Sequence, residues 1–178
     1  MIKKADILFI AVVAALLVPF FISDSVYEAY KTTNAAHPYV MAFIKFMILS
    51  SVGEMVGLRI KQGIYSYKGY GILPRAIVWG IFGVLIAFAM NIFKNGTPVL
   101  LQSLGIEDAC AAMQGSFTWK KLVGACSIST AMNTFFAPVF MTVHKITDTH
   151  ILACNGSLKS LVTPIPFGNI LSSLNWKV

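Results

Sequence analysis

The segment 40–64, VMAFIKFMILSSVGEMVGLRIKQGI, constrains this chain most. It is apolar and long enough to cross a bilayer, which takes a helix of roughly 20 residues. It also carries Lys45 and Glu54, and an ionised side chain at the bilayer centre costs about 2.5–3.5 kcal/mol on insertion scales. Such a helix is not expected to be bare to lipid. Gly53 and Gly57 share a face and would let another backbone approach, so Glu54 is expected beside a helix–helix seam. Lys45 lies nine residues before Glu54, on the opposite face at about 3.6 residues per turn. The two cannot pair within the helix. Each needs a partner elsewhere, water, or a snorkelling exit to the membrane surface.

Three further apolar blocks extend the pattern: 7–25 after Lys3-Lys4 and Asp6, 74–93 starting at Pro74-Arg75, and 119–143 starting at Trp119-Lys120-Lys121. The fold expected is all-α, a single polytopic membrane domain over 1–178 with four transmembrane helices. Only 12% of the residues are charged, about half the share of a soluble domain. The first block has no small-residue cleavage site after it and reads as a retained helix, not a signal peptide. Residues 171–178 read as a short amphipathic tail or the start of a truncated segment. The net charge of +7 comes with no basic run and no nucleic-acid motif, so nucleic acid is excluded as a partner and the bilayer is the expected one. With the N-terminus inside, Lys3, Lys4, Arg59, Lys61, Lys68, Arg75, Lys145 and Lys159 fall on the inner side, against Lys31, Lys94, Lys120 and Lys121 outside. That bias favours both termini inside. The membrane would be the cell inner membrane in a bacterium and an organellar one in a eukaryote.

Local signals divide the rest. The segment 23–39 is a polar connector with interfacial tyrosines, and 65–73, YSYKGYGIL, reads as an interfacial loop. Residues 94–98, KNGTP, read as a turn, and Asn155-Gly156-Ser157 as another. The block 99–104 is too short to span and reads as a surface helix or re-entrant piece. In the last span Ser127, Thr130, Asn133 and Thr134 recur at helical spacing and share a face, so they either bond a neighbouring helix or line a wet path. Pro138 should kink that helix. Gly80 and Gly83 offer a second small-residue contact. Cys110, Cys126 and Cys154 form no disulfide framework and read as free thiols.

Little here carries reaction chemistry. No phosphate loop, G-x-S-x-G, H-E-x-x-H or carboxylate dyad is present, so neither enzyme activity nor a cofactor is expected. In HKITDTHILAC, His144 and Asp148 would share one helical face and His150 and Cys154 another. That makes one tetrahedral metal site awkward, and the histidines read as interfacial.

The chain resembles the small polytopic membrane proteins of the Mpv-seventeen and 22-kilodalton peroxisomal membrane protein family, as a distant relative. The likeness rests on His37-Pro38-Tyr39 before the organising helix and Gly53-Glu54 within it. Arg75 with Gly80 and Gly83, Trp119-Lys120-Lys121, and Phe136-Ala137-Pro138 complete it. The resemblance implies a pore or permeability protein for small solutes or ions, in which Glu54 is the charge that matters. The alternative is a non-transporting binding or assembly module, such as the substrate-binding subunit of a carrier. In either class Glu54, Lys45, Gly53, Gly57, Ser127, Thr130, Asn133 and Thr134 are the candidate pathway or packing residues, and a homo-oligomer is conceivable. Glu54 is expected to be buried, facing either a water-filled cavity or partners on another helix such as Ser127, Thr130 and Asn133. Single cysteines placed at Ser66 and Asn95 in a cysteine-free background should label from opposite sides of the membrane; labelling from one side would break the topology.

Overall fold

The computed structural model describes residues 3–175, and the part of the expected C-terminal tail over 176–178 lies outside the described residues. Among the described residues the chain is helical without strands. Its helices are α1 (Lys4–Leu17), α2 (Pro19–Ile22), α3 (Asp24–Ala36), α4 (Pro38–Gln62), α5 (Ile72–Ser103), α6 (Ala109–Gln114), α7 (Trp119–Ala131), α8 (Ala137–Ala153) and α9 (Phe167–Ser173). A π-helical turn, Met132–Phe136, joins α7 to α8. Three helices are long and apolar enough to cross a membrane: Pro38–Gln62, Ile72–Ser103 and the continuous rod Trp119–Ala153. The first apolar block is divided at Pro19, whose ring cannot donate to the preceding turn. It therefore forms one helix of 14 residues and one of 4.

Proline and glycine place the helix ends. Pro38 starts α4 at a position where a missing N–H costs nothing, and Gly63 ends it in the left-handed conformation, φ 75°. Gly71, φ 76°, precedes α5. A Cβ on Gly71 would lie 2.7 Å from Gly156 Cα, and Gly156 itself has φ 66°. This mutual approach brings the start of α5 against the turn that follows α8. The turn expected at Asn155-Gly156-Ser157 is present.

The turn expected over 94–98 is not. α5 runs through it, with Asn95 donating to the Asn91 carbonyl at 2.8 Å. Thr97 and Pro98 are buried, because this end of α5 packs on α6 and α7. Tertiary packing has overridden local turn chemistry. The block 99–104 is accordingly the end of α5 and not a separate piece. In the last rod the irregularity lies at the π turn ahead of Pro138, which occupies the tolerant first turn of α8.

The glycine seam is on α5 and not at the Gly53–Gly57 face of α4. A Cβ at Gly53 or Gly57 would meet nothing within 4 Å, so neither glycine is at a protein contact. Gly80 and Gly83 are. A Cβ at Gly80 would lie 2.6 Å from the Phe43 ring, and one at Gly83 2.6 Å from the Ala42 carbonyl oxygen and from Phe46 Cβ. Phe43, Phe46 and Ala42 thus fill the notch that α5 presents, and α4 on α5 is the main helix pair. Gly83→Leu should cost roughly 1–3 kcal/mol in detergent denaturation, as overpacking does, with Gly57→Leu near neutral. Equal sensitivity at both positions would contradict the seam.

Candidate functional site: a charge cluster between three helices

α4, α5 and α8 converge at the end of the bundle where α4 stops and α5 starts. Glu54 stands on the side of α4 that faces α5. Its Oε1 accepts from Trp79 Nε1 at 2.7 Å, and its Oε2 accepts from Tyr70 Oη and Arg75 Nη1, both at 3.2 Å. Arg75, one turn into α5, is 5% exposed. Its Nη1 also contacts Asp148 Oδ1 of α8 at 2.6 Å. Its Nε donates to the Tyr70 carbonyl at 2.9 Å, and the guanidinium lies 4.6 Å from the centre of the Tyr70 ring. One cation therefore serves carboxylates from two other helices. Buried ions persist only when paired and hydrogen-bonded in this way.

His144 completes the cluster. It lies one turn before Asp148 on α8, and its Nε2 faces Glu54 Oε1 at 3.5 Å and Asp148 Oδ1 at 3.8 Å. That nitrogen is shielded from solvent, with the Glu54 oxygen at the outer limit of hydrogen-bond distance. The ring packs 4.5 Å from Trp79 and 5.8 Å from Phe82. In the connector before α5, burial and then the neighbouring Glu54 carboxylate push the Tyr70 phenol up to about 12, so it is a hydrogen-bond donor at neutral pH.

Glu54, His144 and Asp148 also offer donor atoms within 4.8 Å of one another, a spacing that could hold a metal ion. Arg75 already supplies the positive charge between the two carboxylates. The donor set fits a guanidinium better than a second cation. The expected sharing of a face by His144 and Asp148 holds, since α8 continues through both. His150 is not interfacial: it is buried, with Nε2 3.2 Å from the Ser160 carbonyl and 3.7 Å from Cys154 Sγ. The three cysteines are free.

The other sequence candidates are dispersed. Glu54 does not meet Ser127, Thr130 or Asn133; its partners come from α5, α8 and the connector. Asn133 bonds back to the Ser129 carbonyl of its own helix at 2.8 Å. Ser127, Thr130 and Thr134 line an open groove of about 860 Å³ between α5 and α7. Among the described residues none of these three hydroxyls has a hydrogen-bond partner. Lys45 does not approach Glu54; it donates to Asn34 Oδ1 of α3 at 2.8 Å.

Arg75, Tyr70, Trp79, His144 and Asp148 were not expected around Glu54. A signal for Arg75 did exist. Glu54 lies eight residues before the end of α4 and Arg75 three after the start of α5, so an antiparallel pairing puts opposite charges at neighbouring depths.

An open, groove-like cavity of about 490 Å³ lies farther along the same seam, between α5 and the α7–α8 rod. Ser129, Asn133 and three methionines, Met90, Met113 and Met132, are among its lining residues. Phe136, Phe140 and His144 succeed one another by single turns from this cavity to the charge cluster, their neighbouring rings 5.6 and 6.4 Å apart. Phe82 meets Phe140 edge-on at 5.1 Å.

In comparisons with protein-family models, curated proteins and solved structures, nothing matches this chain. The family likeness thus rests on the residues quoted for it. Removing the cation should leave two half-buried carboxylates facing each other. Arg75→Met is expected to cost about 3–5 kcal/mol in detergent denaturation, and the triple neutral variant Glu54→Gln, Arg75→Met, Asp148→Asn should recover much of that. Equal loss in both would show that packing, not charge, holds the site.

Proposed function

We propose that this chain is a multi-pass membrane protein that conducts small polar solutes or ions along the seam between α5 and the α7–α8 rod. On this reading it is a distant Mpv-seventeen-type protein and not an enzyme. The fourth crossing is α1 with α2: residues 4–22 rise about 28 Å, close to the roughly 30 Å hydrocarbon core. Two contacts support that crossing. Arg59 Nε donates to Asp6 Oδ1 at 2.6 Å, and Lys3 Nζ to the Gly63 carbonyl at 2.9 Å. Both tie the start of α1 to the end of α4, as antiparallel neighbours require.

The observation that carries the reading is the His144 imidazole, whose shielded Nε2 lies 3.5 Å from Glu54 Oε1 and 3.8 Å from Asp148 Oδ1. It stands where the aromatic ladder from the cavity reaches Glu54 and Asp148. Ionisable groups set within an apolar helix bundle are costly, and they mark solute and ion paths in membrane proteins. The Phe82–Phe140 contact would be the constriction, since apolar rings gate by excluding water. The path is closed in this arrangement.

A second reading is favoured by one other feature. The partnerless hydroxyls of Ser127, Thr130 and Thr134 lie in an open groove, and interhelical hydrogen bonds are a common use of such a stripe. A non-transporting assembly module or a homo-oligomer would cover them.

Solute release from reconstituted vesicles separates the two. Phe140→Ala should raise the flux of small polar solutes several-fold, and Glu54→Gln in the same background should change which charge passes. Folded Phe140→Ala protein that leaves the vesicles as tight as protein-free ones would leave only the assembly reading.

A further inference from the structure

On the opposite side of α4 from the charge cluster, the chain forms an apolar groove of about 440 Å³. α1 and α2 contribute Leu16 and Phe20, α3 contributes Tyr27 and Tyr30, and α4 contributes Lys45 and Leu49. The volume lies within the range of ordinary ligand pockets. Its walls are hydrocarbon and aromatic apart from two phenols and one ammonium.

That ammonium is not neutralised. Lys45 Nζ donates to Asn34 Oδ1 at 2.8 Å and lies 5.7 Å from the centre of the Tyr30 ring. An amide and a ring orient a cation without cancelling its charge. Among the described residues no carboxylate pairs with Lys45: Glu28 of α3 is bonded to Lys31 at 2.9 Å, and Asp6 of α1 to Arg59. An ammonium has three donors, and one of Lys45's is used by the protein. Lys45 lies seven residues into α4, about 10 Å along its axis, beside the polar helix α3 that supplies Asn34.

We propose that this groove binds one anionic phospholipid, its acyl chain lying against Leu16, Phe20 and Leu49 and its phosphate meeting the Lys45 ammonium. The apolar wall and the lone cation are both needed to name the ligand. The wall alone would accept any lipid, and the cation alone any anion. The inference rests on α4 crossing a membrane and is independent of whether the chain conducts solute.

The test is native mass spectrometry of the detergent-purified protein with added phosphatidylglycerol or phosphatidylcholine. The wild type should retain the anionic lipid roughly fivefold better, the equivalent of about 1 kcal/mol for one basic residue near an anionic lipid. Lys45→Gln keeps a donor for Asn34 and should abolish that preference, while Lys31→Gln should keep it. Leu49→Trp should fill the groove and reduce retention of both lipids. Equal retention of the two lipids by the wild type, or an unchanged preference in folded Lys45→Gln, would overturn the site. Displacement of the lipid by inorganic phosphate would overturn it in favour of a free-anion site. Carbonate extraction separates this outcome from failure of the membrane reading, because a chain that leaves the membrane at that step does not span it.

Discussion

Arg75 is the group on which the arrangement of the long helices depends. A guanidinium at 5% exposure must have its charge met by the protein. Here that takes Glu54 from α4 and Asp148 from α8 together. The requirement is mutual. Without the cation the two carboxylates would lose the charge that offsets theirs, and sliding any one helix by a turn would move a charge by about 5.4 Å out of reach of its partners. The ionic cluster therefore fixes which residues of α4, α5 and α8 lie at one level. The aromatic rings of Trp79, Phe82 and Phe140 then close over it.

Farther along the α4–α5 pair, register comes from shape. Phe43 and Phe46 occupy the space that Gly80 and Gly83 leave. α1 contributes little to either device. Its hold on the rest runs through Asp6, which accepts from Arg59 and from Tyr65, and through the stacking of Phe9 on Tyr65 at 4.3 Å. Most of its apolar side chains are exposed. The structure thus has a three-helix centre joined by charge and shape, with an apolar first helix fastened at one end.

The long helices were legible in the sequence because hydropathy alone decides them. Their ends were less so. Lys94-Asn95-Gly96-Thr97-Pro98 carries every local mark of a turn, yet Thr97 and Pro98 are buried in a helix; the deciding contacts come from α6 and α7, distant in the chain. Small residues had the same ambiguity. Gly53 and Gly57 and Gly80 and Gly83 both look like contact faces, and nothing local says which face a neighbour takes. Glu54 was recognised as a charge needing a partner. Its partner is hidden in the sequence because Arg75, near a helix start, reads equally well as a topology marker. The polar stripe was read on an unbroken helix, so Asn133 was grouped with hydroxyls from which the fold separates it.

The π-helical turn at Met132–Phe136 has a bearing on how the rod Trp119–Ala153 can change. A π turn is an α-helix with one residue inserted, and one residue is about 100° of rotation. The turn thus sets the angle between the face carrying Ser127 and Thr130 and the face carrying His144 and Asp148. The two halves behave as separately indexed dials on one shaft. Deleting a single residue within the turn would leave each half's own spacing intact while rotating one against the other by more than a quarter of a revolution. Position-by-position comparison of such chains has to be made on either side of the turn, never across it.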